Sequence, residues 1–164
     1  MRLLAPLLVL FFSIIMVFYV LYRPSKVDGE SMEPTLLHGE RLLSTKSYDE
    51  PHRGDVVVFK GQERSGARFT LIKRIVAVPG DVVAVDGGVA TVNGVAETPG
   101  GFIADPGDPR TTGPLTVEEG TVFVLGDNRL VSLDSRHFGS IPLKSVAGRV
   151  VYVWAPLGRM RAVR

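Results

Sequence analysis

The chain has 164 residues and a formal net charge of +2, with Lys and Arg interspersed among acids, which argues against nucleic acid as the main partner. Cysteine is absent, which removes disulfides, thiolate metal ligands and a cysteine nucleophile together. Its 18 glycines and 11 prolines divide everything after an apolar start into short runs, the pattern of a single, mainly β domain large enough to bury a core.

Residues Leu3 to Tyr22, LLAPLLVLFFSIIMVFYVLY, are uncharged and of bilayer-spanning length. Pro6 lies near the start, where a helix tolerates it best. A cleavable signal peptide shares the layout of Arg2 before an apolar run. This run, however, is long for such a segment and ends in VLYRP, with no small-x-small site. A retained transmembrane anchor over residues 1–22 is expected. Arg2 and the α-amino group on one side, against Arg23 and Lys26 on the other, leave the positive-inside rule nearly balanced.

RPSKVDG reads as a linker. ERLLSTK and DVVVFK read as strands, being short, apolar or β-branched, and bounded by turn residues. RFTLIKRIVAVPGD reads as a strand ending at a Pro-Gly turn. VVAVDGGVATVNGVAET reads as a hairpin around Asp86-Gly87-Gly88 with a second tight turn at Asn93-Gly94. Pro99 to Pro114 is rich in Gly and Pro with few apolar anchors, and a mobile loop is expected. TVFVLGDN is a strand running into a polar loop through Gly139, and VAGRVVYVWAP is the last strand. Residues 23–80 and 121–164 are thus expected to form the main β domain, and residues 81–120 a small cap hairpin with its loop. Nothing repeats at a fixed period.

Three separated stretches carry unusual polar residues: VDGESMEPTL, LIKR and LGDNRLVSLDSRHFG. Alone, a Ser before Met reads as a turn or cap, and a Lys inside a strand as an edge or snorkelling side chain. Together, Ser31 and Lys73 offer a serine nucleophile and a lysine base. The base must be neutral, so its pKa must fall by roughly two units, about 3 kcal/mol. Burial can supply that, and Leu71, Ile72 and Ile75 are suitable surroundings. His38, His52 and His137 lack metal-ligand spacing, so neither a metal nor a cofactor is expected. VDGGVATVNG lacks the phosphate-loop pattern and reads as a hairpin.

These stretches resemble the motifs of the bacterial type I signal peptidases, membrane-anchored serine-lysine endopeptidases. SMEPTL, RGDVVVF, LIKRIVAVPGD and GDNRLVSLDSRHFG match that family's motifs in order, after an apolar segment. The resemblance implies a transmembrane helix followed by an antiparallel β catalytic domain with a small cap. It implies cleavage of signal peptides from exported proteins after a small-x-small motif, at the outer face of the cell membrane. Signal peptides, the lipid bilayer and, by proximity, the translocation machinery are the implied partners. By the same resemblance Ser31 is the nucleophile, Lys73 the general base, and Ser132 a second serine that hydrogen-bonds and orients the lysine. Arg74 with Asp127, and Asp134 with Arg136, are the implied bracing pairs. Met32, and with it Leu36 and Ile72, would wall the pocket for a small substrate side chain. Some members carry a serine two residues before the nucleophile. Here Gly29 stands in that place, so an oxyanion would rest on backbone N–H groups at Ser31 and nearby.

Other readings stay open on sequence. A self-cleaving repressor-type protease shares the serine-lysine pair, but its DNA-binding domain is replaced here by an apolar segment. A specialised pilin or conjugation-type signal peptidase is a second alternative, and a non-catalytic, membrane-tethered β domain that binds exported chains a third. Trp154 and Leu157 beside Arg159 and Arg161 suit a lipid headgroup region, or else Trp154 simply ends a core strand.

Overall fold

The computed structural model describes residues 4–62, 68–98 and 101–163. Arg2, the rest of Met1–Leu3, and Pro99 with Gly100 of the expected loop lie outside them. Helix α1 spans Leu4–Leu21 and is followed directly by strand β1, Tyr22–Lys26. Then come β2 (Arg41–Thr45), β3 (Val56–Gln62), β4 (Arg68–Ala77), β5 (Val82–Asp86), β6 (Val89–Val92), β7 (Val95–Ala96), β8 (Thr112–Thr116) and β9 (Thr121–Leu125). A single-turn helix α2 (Ser135–Phe138) precedes β10 (Ile141–Pro142), β11 (Val146–Ala155) and β12 (Arg161–Ala162).

The fold is mainly antiparallel β. The larger sheet has the order β1-β2-β11-β3-β4-β9-β10, with β12 also on β11, and the smaller one runs β7-β6-β5-β8. β11 serves both halves of the large sheet: Val146–Arg149 pair with β3 and Val150–Ala155 with β2, the register shifting along the way. β9 is buried from Val122 to Leu125, which explains its unbroken apolar run. Phe123 and Leu125 carry the small sheet, packing against Val83, Val85, Ala90 and Val92. A second cluster joins Met32 and Leu36 to Leu42, Val56, Val150 and Val153.

Three expectations need correction. The stretch expected to be a linker is β1, paired with β2 from Tyr22↔Thr45 to Lys26↔Arg41. Its edge position tolerates Pro24, which has no N–H to offer. The loop expected to be mobile is largely tied down: Ile103 N–H donates to Asp127 O at 2.7 Å and Ile103 O accepts from Arg129 N–H at 2.9 Å. Asp108 is buried, and Thr112–Thr116 forms β8 on β5, so the cap is a four-stranded sheet and not a hairpin. α1, with 18 residues, measures about 27 Å against a hydrocarbon thickness of about 30 Å. Among the described residues no helix is long and apolar enough to cross a membrane. The apolar stretch read from the sequence exceeds the helix because Tyr22 is taken into β1.

The junction between helix and sheet is closed by hydrogen bonds. Lys46 N–H donates to Leu21 O at 3.0 Å, and the Lys46 ammonium donates to Tyr19 O. A cation thus satisfies carbonyls at the helix C-terminus. The apolar side chains of α1, among them Leu7, Phe11, Ile14 and Phe18, remain exposed.

Candidate active site

Ser31 sits on the tight turn between β1 and β2, held by Leu36 N–H donating to Met32 O at 2.8 Å and Glu33 N–H to Glu30 O at 3.1 Å. Its carbonyl accepts from Asn128 N–H at 3.0 Å, which docks the turn on the loop after β9. Gly126 is what lets these pieces meet. A Cβ there would stand 2.1 Å from Ser132 Oγ and 2.5 Å from Ser31 O, so only glycine fits.

Lys73 lies in mid-β4 opposite Val57, with 1% of its surface exposed. Its Nζ donates to Ser31 Oγ at 2.7 Å and to Ile72 O at 2.9 Å. Burial lowers the amine from 10.5 to about 8, against the opposing pull of the Asp134 and Asp127 carboxylates. Near neutral pH an appreciable share of Lys73 is therefore unprotonated, and a neutral amine can accept the Ser31 proton.

Both expected bracing pairs are present. Arg74 grips Asp127 with two bonds, Nε to Oδ1 at 2.9 Å and Nη2 to Oδ2 at 2.7 Å, and donates to Gly54 O at 2.7 Å. Such a fork fixes β4 against the loop after β9. Arg136 Nε donates to Asp134 Oδ1 at 2.9 Å, and Gly126 N–H to Asp134 Oδ2 at 3.0 Å. Burial alone would raise the Asp134 carboxyl, but Arg136 and the Gly126 amide hold it below the usual carboxylate range.

Ser132 departs from its expected contact. Its hydroxyl is buried beside Gly126 and leans toward Asp134 without hydrogen-bonding geometry; it makes no bond to Lys73. Gly29 has φ +92° with open space where a Cβ would stand. A serine there would find room yet strain the backbone. Gly29 N–H donates to His38 Nδ1 at 3.1 Å, while Ser31 N–H has no acceptor among the described residues. A free donor beside the Ser31 hydroxyl is what an oxyanion needs.

Two cavities open on Ser31 and Lys73. A broad one of about 620 Å³ is lined by Asp28, Gly29, His38, Leu71, Val131 and Leu133. A narrower one of about 180 Å³ is lined by Ser25, Lys26, Asp28, Met32, Val58 and Ile72. Met32 and Ile72 thus reach the cavity as expected, whereas Leu36 lies in the core behind Met32 and lines neither.

Sequence reasoning missed several supporting groups. Asp108 accepts from Arg136 Nη1 at 2.5 Å, both side chains fully buried, and also from Arg110. Burial would raise its carboxyl, yet Arg110 and Arg136 hold it at about 2. Arg129, 1% exposed, bridges Gly126 O at 2.8 Å to Glu97 Oε2 at 2.9 Å, joining the small sheet to the loop of Asp127. Buried Glu40 accepts from Leu37 N–H at 3.0 Å and from Arg161 Nη1 at 3.0 Å, which ties the C-terminal residues to the Ser31 turn.

Residues 1–155 match the family described as signal peptidase, peptidase S26. A signal peptidase I of Bacillus licheniformis is 34% identical over 86% of this chain and 81% of its own length. Signal peptidase I P of Bacillus subtilis subsp. natto is 33% identical over 91% of this chain and 87% of its own length. A crystal structure of a signal peptidase I from Enterococcus faecalis V583 aligns with a TM-score of 0.46 at 33% identity, covering 63% of this chain and 98% of that one. A match of this extent, carried by a chain whose serine and lysine meet in a cleft, assigns the protein: it belongs to the signal peptidase family, peptidase S26, and is a peptidase.

Proposed function

We propose that the protein is a membrane-anchored serine endopeptidase that removes signal peptides from exported proteins, cutting after a small-x-small motif. The observation that carries the reading is the bond from a buried Lys73 amine, lowered to about 8, to Ser31 Oγ at 2.7 Å. In this reading the neutral amine takes the Ser31 proton as Oγ attacks the scissile carbonyl. The Ser31 N–H receives the developing oxyanion. The lysine then gives its proton to the departing amine of the mature chain, leaving a serine ester. Water, deprotonated by the same amine, hydrolyses that ester and restores Ser31.

The Asp134 carboxylate acts on the lysine through its charge, Arg74 and Asp127 brace its strand, and Met32 with Ile72 restrict the entering side chain to a small one. The catalytic domain comprises residues 23–80 and 121–164, with residues 81–120 as its cap. Anchoring is assigned to the apolar stretch Leu3–Tyr22, supported by a helix whose apolar side chains face outward with no protein to cover them. At about 27 Å the described helix falls short of a hydrocarbon core of about 30 Å, so anchoring through it requires the bilayer to thin around it. The catalytic domain then lies outside the cytoplasm, where translocated chains emerge.

The test is turnover of a fluorogenic signal-peptide substrate with an Ala-x-Ala site by the full chain in detergent. Ser31→Ala and Lys73→Ala should each abolish cleavage, and the double variant should be no worse than either. Substantial turnover by Lys73→Ala at neutral pH refutes the lysine assignment.

A further inference from the structure

The chain entering the Ser31 turn and the chain leaving it are tied together by a short ladder. β1 pairs with β2 as far as Lys26↔Arg41. Beyond it Val27 N–H donates to Glu40 O at 2.8 Å, and Gly39 N–H donates to Val27 O at 3.0 Å. Continued in register, the next rung would join Gly29 to His38. The backbone does not supply it. Gly29 turns away at φ +92°, and its N–H donates to His38 Nδ1 at 3.1 Å. A ring nitrogen thus stands in for a main-chain carbonyl. Nδ1 accepts only while it carries no proton, so the hydrogen of the ring sits on Nε2. The Asp28 carboxylate stands 3.7 Å from the same nitrogen, too far for a hydrogen bond.

Glu30 alone separates Gly29 from Ser31, and all three line the broad cavity with His38 and Lys73. Where a Cβ of Gly29 would stand, no atom lies within 4 Å, so packing does not hold this residue. Glycine has the widest backbone freedom, and the bond to His38 is what restrains it here. That bond also occupies the Gly29 N–H. It leaves the Ser31 N–H, which has no acceptor among the described residues, as the donor beside the nucleophile.

We propose that His38 is a positioning residue, its Nδ1 clamping Gly29 so that the Ser31 N–H is aimed at the oxyanion. This rests on the peptidase reading above and gives a part to a residue outside the serine-lysine pair and its bracing ions. A donor aimed at charge that develops in the transition state acts on kcat and leaves KM nearly unchanged. Loss of the clamp therefore slows turnover without weakening substrate binding.

The experiment compares kcat and KM of the full chain in detergent for wild type, His38→Ala, His38→Asn and His38→Gln, using the Ala-x-Ala peptide. Rates are taken per folded enzyme, measured by circular dichroism. The asparagine amide oxygen lies as many bonds from the backbone as Nδ1, and the glutamine oxygen as many as Nε2. His38→Asn should therefore stay within about fivefold of wild type in kcat, while His38→Ala and His38→Gln fall by more than that, roughly tenfold to 100-fold. His38→Ala within about fivefold of wild type, a loss carried by KM, or His38→Asn as slow as His38→Gln overturns the assignment. Should His38→Ala not fold, the contrast between His38→Asn and His38→Gln decides alone. Failure of wild type to cleave the peptide overturns the peptidase reading itself.

Discussion

Lys73→Met should abolish activity and yet stabilise the fold at neutral pH. The lysine amine is 1% exposed and lowered from 10.5 to about 8, which corresponds to roughly 3 kcal/mol. The sign follows from proton linkage. Between pH 8 and 10.5 the unfolded chain holds more protons on this lysine than the folded one, so its penalty grows as pH falls through that window. Below pH 8 the penalty is complete; above 10.5 it is gone. Methionine has similar volume and no charge to desolvate. Its lost hydrogen bonds to Ser31 and Ile72 differ little with pH, so the change in ΔΔG between pH 7 and pH 11 isolates the buried charge. Urea unfolding of both proteins in detergent micelles, followed through the single Trp154, should give a relative gain of about 3 kcal/mol at pH 7 that vanishes toward pH 11. A difference that stays flat between those pH values would mean that Lys73 is not desolvated, and the neutral-base argument would fall with it.

The same shift sets the rate profile: log kcat/KM should rise with unit slope and level off above about pH 8, leaving roughly a tenth of the plateau at pH 7, whereas a limb near pH 10 would contradict it. Gly126→Ala should lower kcat by about 100-fold or more, because its Cβ would displace Ser132 and the Ser31 carbonyl, with circular dichroism showing a retained fold. Glu40→Gln should cost about 1–2 kcal/mol at pH 7 by weakening the bonds to Arg159 and Arg161. Burial alone would raise the Glu40 carboxyl, but the two arginines and the Leu37 amide outweigh it and hold it below 4.5. The wild-type advantage should therefore be present above pH 4.5 and fade as pH falls below it, read from paired melts.

What was legible in the sequence was what is local or periodic. The β2, β3 and β4 runs, the two turns at Gly87-Gly88 and Asn93-Gly94, and the buried strand Thr121–Leu125 all announce themselves through alternation or through residues that accept positive φ. The serine and lysine, and the Arg74–Asp127 and Asp134–Arg136 pairs, were legible because they stand in short recognisable motifs. β1 was not, since YRPSK has a proline and two cations, and only its partner β2 makes it a strand. Asp108 was hidden because it sits among Gly and Pro, and its partner Arg136 lies 28 residues on. Glu40 and Arg161 are 121 residues apart, a separation that no pattern reports. Ser132 shows the opposite failure: the motif assigned it a contact that this geometry does not make.

The direct passage from α1 to β1, with Lys46 closing the junction, leaves no slack between helix and sheet. In a chain anchored through α1, the blade is therefore fixed to its mounting. Ser31, five residues beyond the end of β1, is held at one height above the bilayer and does not sweep through a range of heights. Such an enzyme measures as well as reads. Of two small-x-small sites in one exported chain, it would cut the one whose distance from the buried apolar segment equals its own reach. A few flexible residues inserted between Leu21 and Tyr22 would blur that choice without touching the chemistry.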